Sequence, residues 1–194
     1  DVGGGEIARF SGPASISNIV ARVTGGQNST IAGQVVASID QANLWLINPA
    51  GFIFSNGAVV DVSGSLNLST SDFVEFVDGS RFFSQLSPAS TLSTATISSF
   101  GFLGAGRGAI AFSSDGVTAG SPLGSAQNIN VGAQTITLNE VNVFASAVEV
   151  SLGNQRLGDV TLNKASLQAV GGKVIFLGGH VDAVDSFINA AGRD

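Results

Sequence analysis

His180 is the only histidine in the 194-residue sequence and so the only imidazole available as a general base near neutral pH. Asp182 follows at the spacing that, on a strand, puts both side chains on one face, so a His-Asp pair is geometrically possible. That spacing supplies no nucleophile, and the pair reads better as the exposed edge of a strand. Asp72, Glu75 and Asp78 could crowd one loop and hold Ca²⁺, or serve as the acid and base of a glycosidase. They lack an Asp-x-Asp spacing and a Gly-Gly-x-Gly-x-Asp repeat, which favours solvated turn residues. Gly3-Gly4-Gly5 and Gly104-Ala105-Gly106-Arg107-Gly108 offer backbone amides without a following Lys-Ser/Thr or helix, so they are expected to be turns, not phosphate cradles. Cysteine is absent, which removes thiolate ligands and disulfides. No catalytic residue, metal site or cofactor is expected, and the chain does not read as an enzyme.

The elements that would carry any site follow from composition. At 44% hydrophobic the chain can bury a large core, yet only 11% of residues are charged, so hydroxyls, amides and backbone must keep it in solution. Abundant Val, Ile and Thr suit a pleated surface, and 26 glycines suit tight turns. A net charge of −6 with eight scattered basic residues leaves no stripe to follow a phosphate backbone, which excludes nucleic acid as a partner. The most apolar run, residues 44–54, is interrupted by Asn48, Pro49 and Gly51, so no membrane-embedded helix is expected. The start shows no basic segment followed by an apolar one, so a secretory signal would have to precede Asp1.

Gly, Ser and β-branched residues interrupt nearly every helical window, while alternation of period two recurs in short runs. These are Leu44-Trp45-Leu46-Ile47, Val60-Asp61-Val62, Leu66-Asn67-Leu68, Ile129-Asn130-Val131, Ile136-Thr137-Leu138, Val160-Thr161-Leu162 and Val174-Ile175-Phe176-Leu177. Strands so short need a sheet that extends over many neighbours. Self-similarity supplies it. Ile136-Thr-Leu-Asn-Glu-Val-Asn-Val-Phe-Ala145 lies over Val160-Thr-Leu-Asn-Lys-Ala-Ser-Leu-Gln-Ala169, and Leu167-Gln-Ala-Val-Gly171 over Ile188-Asn-Ala-Ala-Gly192. Repeats of this length without a helical half point to an all-β, single-stranded, right-handed parallel β-helix, one domain over residues 1–194, of roughly eight or nine coils if the whole chain coils. Inward Val, Ile, Leu and Phe would form the core, with Asn, Thr and Ser in outward ladders. A polyuronide-cleaving β-helix would want acids and a basic partner on those outward positions instead.

Two regions depart from the repeat. Residues 71–125 carry Phe73, Phe76, Phe82, Phe83, Phe100, Phe102 and Phe112, too many for solvent, and are read as excursions containing a hairpin or loop packed outside the helix. Ordinary core Phe within coils is the alternative. At the start, Ile7 and Phe10 are candidates to cap the open end of the helix, which otherwise presents unpaired backbone and apolar core.

The most informative stretch is Ala42-Asn-Leu-Trp-Leu-Ile-Asn-Pro-Ala-Gly-Phe-Ile-Phe-Ser-Asn-Gly-Ala58. Asn48, Pro49 and Gly51 occupy positions i, i+1 and i+3 of a type I turn, which makes a rigid corner between two apolar strands. The run resembles the Leu-Ile-Asn-Pro-Asn-Gly-Ile-x-Phe-Gly block of two-partner secretion domains in haemagglutinin and high-molecular-weight adhesin exoproteins. Ile19-Val-Ala-Arg22-Val-Thr-Gly-Gly26, which contains Arg22, Thr24 and Gly25, resembles the preceding block, and Ser29-Thr-Ile-Ala-Gly33 the coil between. Ala58-Val-Val-Asp-Val-Ser-Gly-Ser-Leu, Ser71-Asp-Phe and Gly101-Phe-Leu-Gly104 resemble later blocks in order, so the likeness covers roughly residues 12–179. Ala50 replaces the family's second Asn, and a second Asn-Pro motif of the haemagglutinin subgroup is absent, which places the chain nearer the adhesin and haem-scavenging subgroup.

The resemblance implies the N-terminal secretion domain of a Gram-negative exoprotein, without cofactor. Such a domain crosses the periplasm, is recognised by the periplasmic domains of a cognate outer-membrane transporter, is exported unfolded, and nucleates β-helix folding at the cell surface or after release. The alternative is a β-helical adhesin segment that binds a host glycan or protein; a polysaccharide-active enzyme comes last.

Overall fold

The computed structural model describes residues 1–104, 106–113, 126–145, 149–153, 158–170 and 172–191, and these contain strands and turns but no helix. Strands are numbered in chain order. One face stacks β2 (Asn18–Arg22), β5 (Asn43–Ile47), β8 (Leu66–Ser69), β13 (Asn128–Gly132), β16 (Glu149–Gly153) and β19 (Lys173–Leu177). A second stacks β3 (Ser29–Ile31), β6 (Phe52–Phe54), β12 (Ile110–Ser113), β14 (Thr135–Asn139), β17 (Asp159–Asn163) and β20 (His180–Val184). The third position is held by β1 (Ile7–Phe10), β4 (Gln34–Ala37) and β7 (Val59–Val62), and further along by β15 (Asn142–Ala145), β18 (Ser166–Val170) and β21 (Phe187–Ala191). The chain runs from the second face through the third position to the first and then repeats. All neighbours in these stacks pair in parallel, giving a β-solenoid of about seven turns.

Every alternating run read from the sequence lies in one of these strands. The first repeat is strand register itself: Ile136 pairs with Val160, Leu138 with Leu162 and Asn139 with Asn163. The second behaves the same way, with Leu167 opposite Ile188 and Ala169 opposite Ala190, while its two glycines lie outside the described residues. Inward positions alternate with outward ones, so Leu44, Leu66 and Ile129 from the first face meet Phe52, Ile110 and Ile136 from the second and Val35, Val60 and Leu167 from the third in one continuous core. Stacking is what buries them. Val160 is 1% exposed beneath the strand that follows it, whereas Val181, its partner in the last described coil, is 43% exposed. Burying such a side chain contributes about 2 kcal/mol, so each coil is stabilised by the next rather than by itself.

The corner between the second face and the third position recurs without glycine. Glu140, Lys164 and Asp185 stack there with φ of 55°, 48° and 50°. Side chains rarely adopt this left-handed region, and with these turns stacked Lys164 Nζ lies 3.3 Å from Glu140 Oε1.

Residues 70–109 leave the solenoid, which is why it has about seven turns rather than eight or nine. β9 (Phe73–Phe76) pairs antiparallel with β10 (Arg81–Phe83) on one side and β11 (Ile97–Gly101) on the other. This small sheet lies against the outward side of β2 and β5, where Val74, Phe76 and Ile97 form a second apolar cluster with Ile47, Val20, Trp45, Phe82 and Phe100. The phenylalanines divide between both readings of the sequence: Phe73, Phe76, Phe82, Phe83 and Phe100 belong to the excursion, while Phe112 sits in the main core with its ring 4.7 Å from that of Phe54. The expected excursion also took in residues 114–125, which lie outside the described residues.

At the N-terminal end β1 forms the first strand of the third position, and Val2 pairs with Ile31. Phe10 and Ala8 pack against the core. Ile7 does not cover it: alternation turns its side chain outward, where it is 52% exposed, and the buried contact is made by Val2 instead.

Candidate functional site

The corner at Asn48 joins β5 to β6. Asn48 O accepts from Gly51 N at 3.0 Å, which closes the turn, and Asn48 Oδ1 accepts from Ala50 N at 3.0 Å. The residue is fully buried, so its remaining polar atoms need partners, and they find them in neighbouring coils. Its Nδ2 donates to Gln27 O at 3.0 Å and to Ser29 Oγ at 2.9 Å in the preceding coil, and its backbone N donates to Ser69 O at 3.0 Å in the following one. Asn48 thus ties three successive coils, its side-chain amide to the preceding one and its backbone N–H to the following one. Ala50 takes part only through its backbone.

Gly51 has φ of +120°, and a Cβ there would lie 2.5 Å from Ala109 O. Opposite it, a Cβ on Gly108 would lie 1.9 Å from Ala50 O. The chain returning from the excursion therefore runs directly against the turn, with Gly108 N donating to Pro49 O at 2.8 Å and Phe52 N to Ala109 O at 3.1 Å. Pro49 fixes the φ of the turn residue whose carbonyl receives this strand.

Arg22, at the outward end of β2, holds the excursion. One guanidinium nitrogen donates to Phe83 O at 2.6 Å, Ser90 Oγ at 3.1 Å and Gln85 O at 3.2 Å, and the cation lies 4.7 Å from the centre of the Phe82 ring. Thr24 and Gly25, from the same sequence block, lie in the exposed loop that follows and do not join this contact. The sequence therefore grouped one structural clamp with two surface residues.

The carboxylates Asp72, Glu75 and Asp78 each have their own partners. Asp72 pairs with Arg107 and accepts from Leu103 N at 2.7 Å, which latches the start of the excursion to its end. Glu75 pairs with Arg81 at 2.7 Å. Asp78 accepts from the Ser80 and Ser93 hydroxyls, which hold its carboxyl down at about 2. No group of acidic residues and histidine able to hold a metal ion occurs among the described residues. His180 and Asp182 both stand on the solvent side of β20. The Asp72–Arg107 latch and the role of Gly108 were missed by sequence reasoning, because partners 35 residues apart leave no periodic signal and Gly108 resembles any turn glycine.

Outward amides form the ladders expected of the fold: Asn43 donates to Asn18, Asn130 to Asn67 and Asn163 to Asn139, at 2.6–3.0 Å. No helix among the described residues is long and apolar enough to cross a membrane. No curated protein and no solved structure matches the chain. The TPS secretion domain family matches residues 1–191, a span that includes the corner, the clamp and the excursion. The chain therefore belongs to the TPS secretion domain family, the secretion module of two-partner exoproteins.

Proposed function

We propose that this chain is the N-terminal secretion domain of a Gram-negative two-partner exoprotein, that the periplasmic domains of its outer-membrane transporter recognise it, and that it nucleates β-helix folding outside the cell. The family match over residues 1–191 carries this reading. Two features of the chain support it. Without cysteine, no covalent loop has to be opened before passage through a narrow pore. A solenoid stabilised coil by coil can also fold progressively from one end as it emerges, which biases net movement outward. In this role the domain is not an enzyme, and it works as one domain in which the corner at Asn48, Pro49 and Gly51 and the Arg22 clamp act by fixing the fold. Phe10 closes the end where coils begin to stack. Asn48 is fully buried, so its side chain is out of a transporter's reach once the domain has folded.

The test is secretion of this chain fused to a reporter, with and without the cognate transporter gene. Reporter in the medium only when the transporter is present, together with retention of the transporter's periplasmic domains on the immobilised chain, is the expected result. Equal export without the transporter would overturn the proposal.

A further inference from the structure

The turn between β6 and β7 is Ser55-Asn56-Gly57-Ala58, and it holds the one Asn-Gly pair in the sequence. Ala58 N donates to Ser55 O at 3.0 Å, and a φ of +88° at Gly57 without a positive φ at Asn56 makes this a type II turn. Both central residues are exposed. Neither the Asn56 side chain nor Gly57 N has a hydrogen-bond partner among the described residues, so the peptide between them can rotate without breaking a bond. The flanks, by contrast, are pinned to the preceding coil: Ser55 N donates to Ile31 O at 2.9 Å and Val59 N to Gly33 O at 3.0 Å, and Phe54 and Ala58 are buried in the main core. Other asparagines are followed by a nitrogen that is already engaged. Ser29 N, after Asn28, donates to Gly51 O at 3.0 Å; Glu140 N, after Asn139, to Asn163 O at 2.8 Å; and Lys164 N, after Asn163, to Val184 O at 2.9 Å. Asn48 precedes a proline, whose nitrogen has no proton to lose.

We propose that Asn56-Gly57 is a self-modification site, at which the folded chain converts asparagine to aspartate and isoaspartate. Asparagine is thermolabile, and glycine, with no Cβ, leaves its nitrogen open to the neighbouring side chain. Gly57 N loses its proton to solvent base and attacks Asn56 Cγ; the Cγ–Nδ2 bond breaks, ammonia leaves, and a succinimide ring closes. Water then adds to one of the two ring carbonyls. Cleavage between Asn56 Cγ and Gly57 N restores the main chain and leaves aspartate. Cleavage between the Asn56 backbone carbonyl carbon and Gly57 N leaves isoaspartate, with the main chain rerouted through Cβ and Cγ. The two products act differently on the fold. Aspartate adds a charge at an exposed turn, where solvent screens it. Isoaspartate adds a carbon to the main chain between two pinned flanks, so the extra length bulges at the turn and the Ala58 N to Ser55 O bond that closes it is lost.

The purified, folded chain is incubated in mildly alkaline buffer, and its asparagines are followed over time by peptide mass spectrometry, with isoaspartate located by isoaspartyl methyltransferase labelling. Asn56 should convert first, at least about fivefold faster than Asn28, the ratio that one hydrogen bond held at Ser29 N adds to a barrier. Asn56→Gln, whose longer side chain closes the ring far less readily, should abolish conversion at this turn. Aged wild-type chain enriched in isoaspartate should unfold at a lower urea concentration than fresh chain, whereas Asn56→Asp, which carries the charge without the added carbon, should keep the fresh midpoint. Both substitutions fall at an exposed side chain without hydrogen bonds, so the variants retain the fold against which they are compared. An intact Asn56 when Asn28 has converted, aspartate as the sole product, or a wild-type midpoint for the isoaspartate-rich sample would each overturn the proposal. Transporter-dependent export is unaffected by any of these outcomes.

Discussion

Asn48→Ala tests whether the corner is a structural tie. The substitution removes three side-chain hydrogen bonds, to Gln27 O, Ser29 Oγ and Ala50 N, from a site with no solvent to replace them. At roughly 1 kcal/mol each the loss is about 3 kcal/mol, a large fraction of the stability of a typical domain. Asn48→Asp should be no milder: it keeps the acceptor for Ala50 N but turns a carboxylate toward Gln27 O in a buried position. Urea unfolding followed by circular dichroism measures the effect, and with an unchanged slope the midpoint should fall by roughly 1–2 M. A variant that unfolds at the wild-type midpoint would refute the structural account. If that same variant were no longer secreted, the amide would be a recognition group read by the transporter before folding, and the roles assigned here would be reversed.

Gly51→Ala combines a φ of +120° with a Cβ 2.5 Å from Ala109 O, so a loss of at least about 2 kcal/mol is expected in the same urea assay, and a neutral effect would show that the turn adapts. Arg22→Ala should loosen the excursion while sparing the solenoid: amide exchange in β10 accelerates and protection of the core strands persists, and loss of both together would contradict a local clamp. Arg22→Lys should not rescue it, because a single ammonium cannot both donate to these acceptors and lie over the Phe82 ring as a planar guanidinium does. The Asp78 carboxyl is held below its ordinary value of 3.8 mainly by the Ser80 hydroxyl, then by Ser93, so its contribution to the turn is full above pH 4 and is lost as the pH falls through about 2. An NMR titration of Asp78 with its midpoint near 4 would refute that assignment.

The sequence revealed the solenoid because a solenoid writes its register into the chain. Residues that pair across coils, such as Leu138 with Leu162 and Leu167 with Ile188, also align along the sequence, since each coil repeats the same inward positions. The corner was legible for a different reason: Asn, Pro and Gly have local conformational preferences that act within four residues. The ties between coils were not legible. Asn48 reaches Gln27 and Ser29 in the preceding coil, Arg22 reaches Phe83 and Gln85 in the excursion, and Asp72 reaches Arg107 across it, and none of these pairings follows from local spacing. The expectation for Ile7 failed on a single step of alternation, since Ala8 and Phe10 take the inward positions of β1 and Ile7 takes an outward one.

The position of the corner explains why glycine is needed on both sides of it. β6 pairs with β12 across an insertion: Phe52 lies opposite Ile110, and on the adjoining face Leu66 lies opposite Ile129, yet the core positions stay in register. The insertion can be long because closing a larger loop adds little entropy cost and because a solenoid coil depends only on its neighbours. What it requires is that exit and return lie close together. The Asp72–Arg107 pair, the Asp72 N to Gly101 O bond and the Leu103 N to Asp72 Oδ2 bond bring them together. The returning strand must then start a new coil directly on the preceding one, and it does so at the Asn48 turn, where Gly108 and Gly51 let two backbones approach more closely than any Cβ allows. The Asn48 corner is therefore the seam at which the solenoid resumes after its excursion. A seam of this kind constrains the identity of Gly51 and the amide of Asn48 while leaving Ala50 free to vary, because Ala50 contributes only its backbone.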